Sequence, residues 1–154
     1  MTSVLAATRP DSWDFPLFLH VLGAMVLVGG LLTGASAITF ARGDARFLRL
    51  GYWTLLVVAL PGYIVMRIGA EWLYAKYEDL LPEGVEEPAW IGVGYIVADF
   101  GALLTLIALI VGGIGVRRLG KGGGAGLLKA AMVLAWIVLA AALVAVWAMS
   151  GKPS

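Results

Sequence analysis

Three ionisable side chains stand inside stretches otherwise apolar enough for hydrocarbon: His20, Arg67 and Asp99, with Glu71 at the margin of one of them. Ionisable groups are costly in a bilayer and turn toward a bundle interior or toward each other, which makes them functional candidates. Arg67 and Glu71 are four residues apart and share a helix face, with Tyr63 one turn further in; Tyr95 and Asp99 repeat the spacing. His20 shares a stripe with Gly23, Leu27, Gly30 and Gly34, and small residues on such a stripe allow helices to approach closely in lipid. One ion pair is enough for a purely structural role: Arg67 with Asp99 holds two helices in register, and Arg67 with Glu71 staples one turn of a single helix. There are more groups than one pair needs. The expectation is a polar pocket lined by His20, Tyr63, Arg67, Glu71, Tyr95 and Asp99, open to the extracytoplasmic side, for a small ligand, a lipid head group or a cofactor.

The elements that must position these residues follow from hydropathy. The chain has 154 residues, 61% hydrophobic and 14% charged, with a mean hydropathy of +0.94. A water-soluble domain carries about a quarter of its residues as charges, so that class is excluded. The net charge of +1 lacks the basic stripe of a nucleic-acid partner. With no cysteine, thiolate metal sites and disulfides are excluded too. Crossing a bilayer takes roughly 20 helical residues. Four segments qualify, at about 15–40, 50–70, 89–116 and 127–149, and the second is interrupted by Pro61. What remains is too little for a second core, so residues 1–154 are expected to form one membrane domain.

Basic residues set the orientation, because short cytoplasmic loops are enriched in Lys and Arg. The first loop holds Arg42, Arg46 and Arg49, and the third holds Arg117, Arg118, Lys121 and Lys129. The loop 71–88 is acidic, with Glu71, Glu78, Asp79, Glu83, Glu86 and Glu87 against Lys76. Both termini and the acidic loop are therefore expected outside. Residues 1–14 carry Arg9, Asp11 and Asp14 and do not resemble a secretory signal. Leu73, Tyr77, Leu80 and Leu81 recur at helical spacing, which extends the second helix into an interfacial stretch ended by Pro82 and Pro88, with Trp72, Tyr74, Tyr77 and Trp90 in an aromatic belt. At about 1.5 Å per residue, His20 lies about 8 Å, Arg67 about 5 Å and Asp99 about 14 Å from the outer face.

Other chemistry finds less support. A haem b needs an axial ligand, and His20, the single histidine, rules out a bis-His site within one chain. His20 with Met25 or Met66, or a haem shared across a dimer, remains open, since glycines beside the histidine leave room for a flat macrocycle. Copper suits imidazole and thioethers, so His20 is also the candidate metal ligand, but Met1, Met25, Met66, Met132 and Met149 show no ligand spacing. Gly115–Gly122 resembles a phosphate-binding loop but has Gly122 where Ser or Thr is needed and no strand before it. Ser36 lies far from His20, which disfavours hydrolysis, and no acid or base marks the inner half of the bundle to complete a proton path. No catalytic residue is assigned.

The string Leu19-His20-Val21-Leu22-Gly23, continuing to Gly29-Gly30, resembles the first-helix signature of a family of small bacterial integral membrane proteins of unassigned function. That family is distantly similar to the copper-resistance D-type membrane domain. Leu60-Pro61-Gly62-Tyr63 and Pro88-Ala89-Trp90-Ile91-Gly92 are similar to its second helix and its entry to the third. The resemblance implies a four-helix protein of the bacterial cytoplasmic (inner) membrane; copper or haem handling is implied only through the more distant relatives, with His20 alone carried over.

The expectations are thus an all-α transmembrane four-helix bundle, N-out/C-out and multi-pass, with the lipid bilayer as its surroundings and a ligand pocket near the outer face. The alternatives are a haem-binding redox protein using His20, and an accessory subunit of a membrane complex. Such a subunit, or a homodimer, would associate through the Gly30/Gly34 face or through Ala131, Ala135, Ala142 and Ala145.

Overall fold

A computed structural model describes residues 11–79 and 88–151. Four helices cross end to end: α1 (Asp14–Thr39), preceded by a 3-10 turn at Asp11–Trp13, α2 (Ala45–Glu78), α3 (Ala89–Leu119) and α4 (Ala125–Gly151). Each is long and apolar enough to span a membrane, and the bundle they form is that of a multi-pass membrane protein. The proposed turn at Leu80–Pro82 and the charges Glu83, Glu86 and Glu87 lie outside the described residues.

The helices run longer than the apolar runs suggest. Arg46 and Arg49 are helical because Asp44 caps the start of α2, its Oδ1 accepting from the Arg46 amide at 2.7 Å. Arg117 and Arg118 occupy the last turn of α3, where cations interact favourably with the exposed carbonyls. Between α1 and α2 the chain turns through Arg42 and Gly43, at φ 46° and 90°. Glu71 and Glu78 belong to α2 rather than to a loop.

Pro61 does not break α2. Proline lacks the amide that would bond the Val57 carbonyl, and the helix widens into a π turn over Leu55–Ala59 before resuming at Leu60. Gly51, Leu55, Ala59, Gly62 and Gly69 of α2 all meet α1.

Helices α1 and α2 are antiparallel and in backbone contact along their whole length. Gly23 lies on the Met66 backbone and Gly34 against Leu55 and Gly51. A Cβ on Gly30 would stand 2.7 Å from the Ala59 nitrogen, and one on Gly62 would stand 2.6 Å from the Leu27 nitrogen. The Gly30/Gly34 face expected to pair with a second copy is therefore used within the chain. Ala131 and Ala135 on α4 are likewise buried, Ala131 against Gly112 of α3. Lipid offers no hydrophobic drive between helices, so the closest backbone approach claims the smallest residues first. α3 and α4 pack similarly, with Gly94 against Met149 and Gly115 against Leu128.

A strut ties α1 to α4, Trp136 Nε1 donating to Thr39 Oγ1 at 3.2 Å while Thr39 donates to the Ala35 carbonyl at 2.8 Å. Leu31, Leu55, Leu109, Leu128 and Ala135 form the core. Most large apolar side chains, from Phe15 to Trp147, face outward as lipid contact requires. Of the neighbouring pairs, α2 and α3 touch least. One end of the bundle is acidic, with Asp11, Asp14, Glu78 and Asp79; the other is basic, with Arg42, Arg46, Arg49, Arg117, Arg118 and Lys121.

Candidate functional site

The gap between α2 and α3 toward the acidic end is bridged by side chains. Arg67 projects from α2 and holds two carboxylates: its Nε lies 2.9 Å from Glu71 Oε1, and its Nη2 lies 3.1 Å from Asp99 Oδ1 on α3. The guanidinium also stacks over the Tyr95 ring, 4.9 Å from its centroid. Tyr95 donates to Glu71 Oε2 at 3.4 Å, and Tyr63 donates to the Ala98 carbonyl at 3.3 Å. Four of the six residues singled out in the sequence, Arg67, Glu71, Tyr95 and Asp99, thus form one chain of polar contacts, and Tyr63 bonds the backbone next to Asp99. Arginine suits the centre of it, because its planar fork presents separate N–H groups to two acceptors at once.

The depths agree better than the apolar runs suggested. With α2 continuing to Glu78, Arg67 lies about 16 Å from that helix end, and Asp99 lies about 15 Å from the start of α3. The expected 9 Å mismatch came from ending α2 near Ala70.

His20 stands apart from the chain. Its Nδ1 bonds the Met66 carbonyl at 3.1 Å. Met66 and Arg67 are consecutive and so point about 100° apart around the helix; the Met66 backbone meets α1 while the Arg67 side chain meets α3. A carbonyl only accepts, so Nδ1 is the donor in this bond. The glycines near His20 do not leave a slot for a macrocycle. A Cβ on Gly69 would strike the His20 nitrogen, and one on Gly23 would strike Met66. The room expected beside the histidine is filled by the neighbouring backbone, and the residues present do not fit a haem between α1 and α2. Among the described residues no three of His, Cys, Asp or Glu gather to hold a metal ion. The methionines are dispersed, with Met132 beside Thr39, Met149 against Gly94 and Met25 exposed.

The site is an open notch in the bundle surface rather than an enclosed pocket. The Arg67 side chain is 27% exposed, that of Glu71 49% and that of Asp99 65%. One guanidinium faces two carboxylates, a formal surplus of one negative charge. Tyr74, assigned from the sequence to the aromatic belt and not to the pocket, closes one side with its ring edge-on to Tyr95 at 5.3 Å. Its spacing of three from Glu71 and seven from Arg67 places it on their face and could have found it.

A second feature had no sequence signal. Thr105, in mid-α3, is 5% exposed and its hydroxyl has no hydrogen-bond partner. It lines a small apolar cavity with Leu31, Leu55, Ala59 and Ala135, beside the π turn of α2.

Comparison with protein-family models, curated proteins and solved structures gave no match.

Proposed function

We propose that this is a multi-pass protein of a bacterial cytoplasmic membrane, inserted N-out/C-out, whose α2–α3 notch binds a lipid head group or small amphiphile carrying a cationic amine. The distribution of basic residues supports the insertion, since Arg42, Arg46, Arg49, Arg117, Arg118 and Lys121 gather at one end. The resemblance of the first helix to small bacterial membrane proteins supports the setting. The observation that carries the ligand class is the imbalance around Arg67: two carboxylates share one guanidinium, and the less covered one, on Asp99, is 65% exposed. An uncompensated charge at that depth favours a counter-charge. An ammonium group supplies it, with the Tyr74 and Tyr95 rings beside the site. An anionic head group meets the opposite field.

Lipid retention tests this. The protein is purified in detergent, exchanged against equimolar phosphatidylethanolamine and phosphatidylglycerol, and weighed intact by native mass spectrometry. Wild-type protein retains phosphatidylethanolamine preferentially, and Asp99→Asn loses the preference while still unfolding cooperatively. Equal retention of phosphatidylethanolamine by wild type and Asp99→Asn overturns the reading.

A further inference from the structure

At the basic end, α1 and α2 border an open cleft that has no part in the α2–α3 notch. Its floor is made of small residues, Ser36 and Ala37, and its walls of Phe40 from α1 and Phe47 from α2, with Leu32 and Leu50 extending it along the helices. The cleft has a volume of about 430 Å³, on the scale of a small-molecule site. From Phe40 to Leu32 it runs about 12 Å along α1, into the part of the helix able to lie in hydrocarbon. Phe40 is 73% exposed, so its ring forms a wall without being packed into the core.

Positive charge gathers at the mouth of this cleft. Arg46 precedes Phe47 and stands one turn before Leu50, on the same face. Arg42 lies in the turn two residues beyond Phe40, and Arg49 adjoins Leu50. All three are exposed, and none forms an ion pair among the described residues. The nearby acid, Asp44, has its Oδ1 engaged as the cap of α2. Guanidinium groups match phosphate oxygens in bidentate geometry. Basic clusters next to a membrane-spanning helix attract anionic lipids.

The structure assigns this cleft to an anionic phospholipid, with one acyl chain lying between Phe40 and Phe47 over Ser36 and Ala37, and the phosphate held by Arg42, Arg46 and Arg49. Continuity fixes the choice of occupant: the apolar cleft ends where the arginines begin, as hydrocarbon ends at phosphate in a lipid. The α3–α4 turn supplies the contrast. It carries Arg117, Arg118 and Lys121 as well, but its loop is glycine-rich and no aromatic residue walls a cleft there.

The test compares charge with shape in the full chain, again by native mass spectrometry, using phosphatidylglycerol against phosphatidylcholine. Wild-type protein retains phosphatidylglycerol. The triple variant R42Q/R46Q/R49Q lowers its affinity about tenfold or more, whereas R117Q/R118Q/K121Q stays within about twofold of wild type. Ser36→Leu with Ala37→Leu fills the cleft with every arginine intact and also loses the lipid. If that variant misfolds, Phe40→Ala with Phe47→Ala removes the walls and serves instead. Equal losses from the two charge triples would reduce the effect to general surface attraction and overturn the assignment. So would full retention when the cleft is filled or its walls removed, or displacement of the lipid by a co-purifying protein on the same residues. None of these outcomes involves Asp99, so the amine site stands or falls separately.

Discussion

Arg67 and Asp99 lie 3.1 Å apart and bridge the neighbouring helices that touch least. α1 and α2 are joined through glycines in backbone contact; here two long side chains span the gap. Much of the attachment of α2 to α3 at the acidic end therefore rests on this pair and its tyrosines. A double-mutant cycle with Arg67→Met and Asp99→Ala is expected to give a coupling energy of about 1 kcal/mol, read from reversible unfolding in mixed micelles. A coupling near zero means that the pair does not hold the helices together.

The α1–α2 contact makes a sharper prediction. Gly62→Ala places a methyl group 2.6 Å from the Leu27 nitrogen, and since neither backbone can yield cheaply, it should cost about 1–3 kcal/mol. Gly29→Ala, on the same helix pair but facing open space, should be neutral or slightly stabilising. Thermal melting of the two variants side by side checks the contrast, and equal melting temperatures would refute the close approach.

Thr105→Val replaces an unpartnered buried hydroxyl by a methyl group of the same shape. The desolvation of that hydroxyl is unrewarded in the described structure, so the variant should gain about 1 kcal/mol of stability. A loss of stability would show that the hydroxyl has a partner in solution, and a water in the adjacent cavity would be the first to look for.

The absence of native cysteine makes the proposed insertion easy to test. Glu78→Cys should react with a membrane-impermeant maleimide in intact cells, and Lys121→Cys only after permeabilisation. The reverse pattern inverts the protein and moves the Arg67 notch to the cytoplasmic half.

The four spans were legible because a run of some 20 apolar residues has few other uses. Spacing also carried further: Arg67, Glu71 and Tyr63 do share one face, Tyr95 and Asp99 another, and the stripe from His20 to Gly34 does turn toward a neighbouring helix. The helix ends were harder to read. Arg46, Arg49, Glu71 and Glu78 look like loop residues by hydropathy, yet charge at a helix terminus is compatible with helix and often favours it. The partner of each stripe was not legible at all. A glycine stripe states that something comes close, without saying whether it is the next helix or another copy; Gly30 and Gly34 meet Ala59 and Leu55 of their own chain. Depth and the glycine stripe group His20 with Arg67, but depth carries no information about azimuth and the stripe does not name the helix it meets. The 100° between Met66 and Arg67 separates them.

The seam between α2 and α3 leaves the Asp99 carboxylate 65% exposed within a span long enough to cross a membrane. Under the proposed function, a solute entering there arrives from within the plane of the bilayer. Its local concentration is governed by partitioning into lipid before any recognition by Arg67, Glu71 or Asp99. Amphiphiles are thereby enriched and purely aqueous solutes kept scarce, a selection step made by the solvent around the protein and needing no gate in the chain.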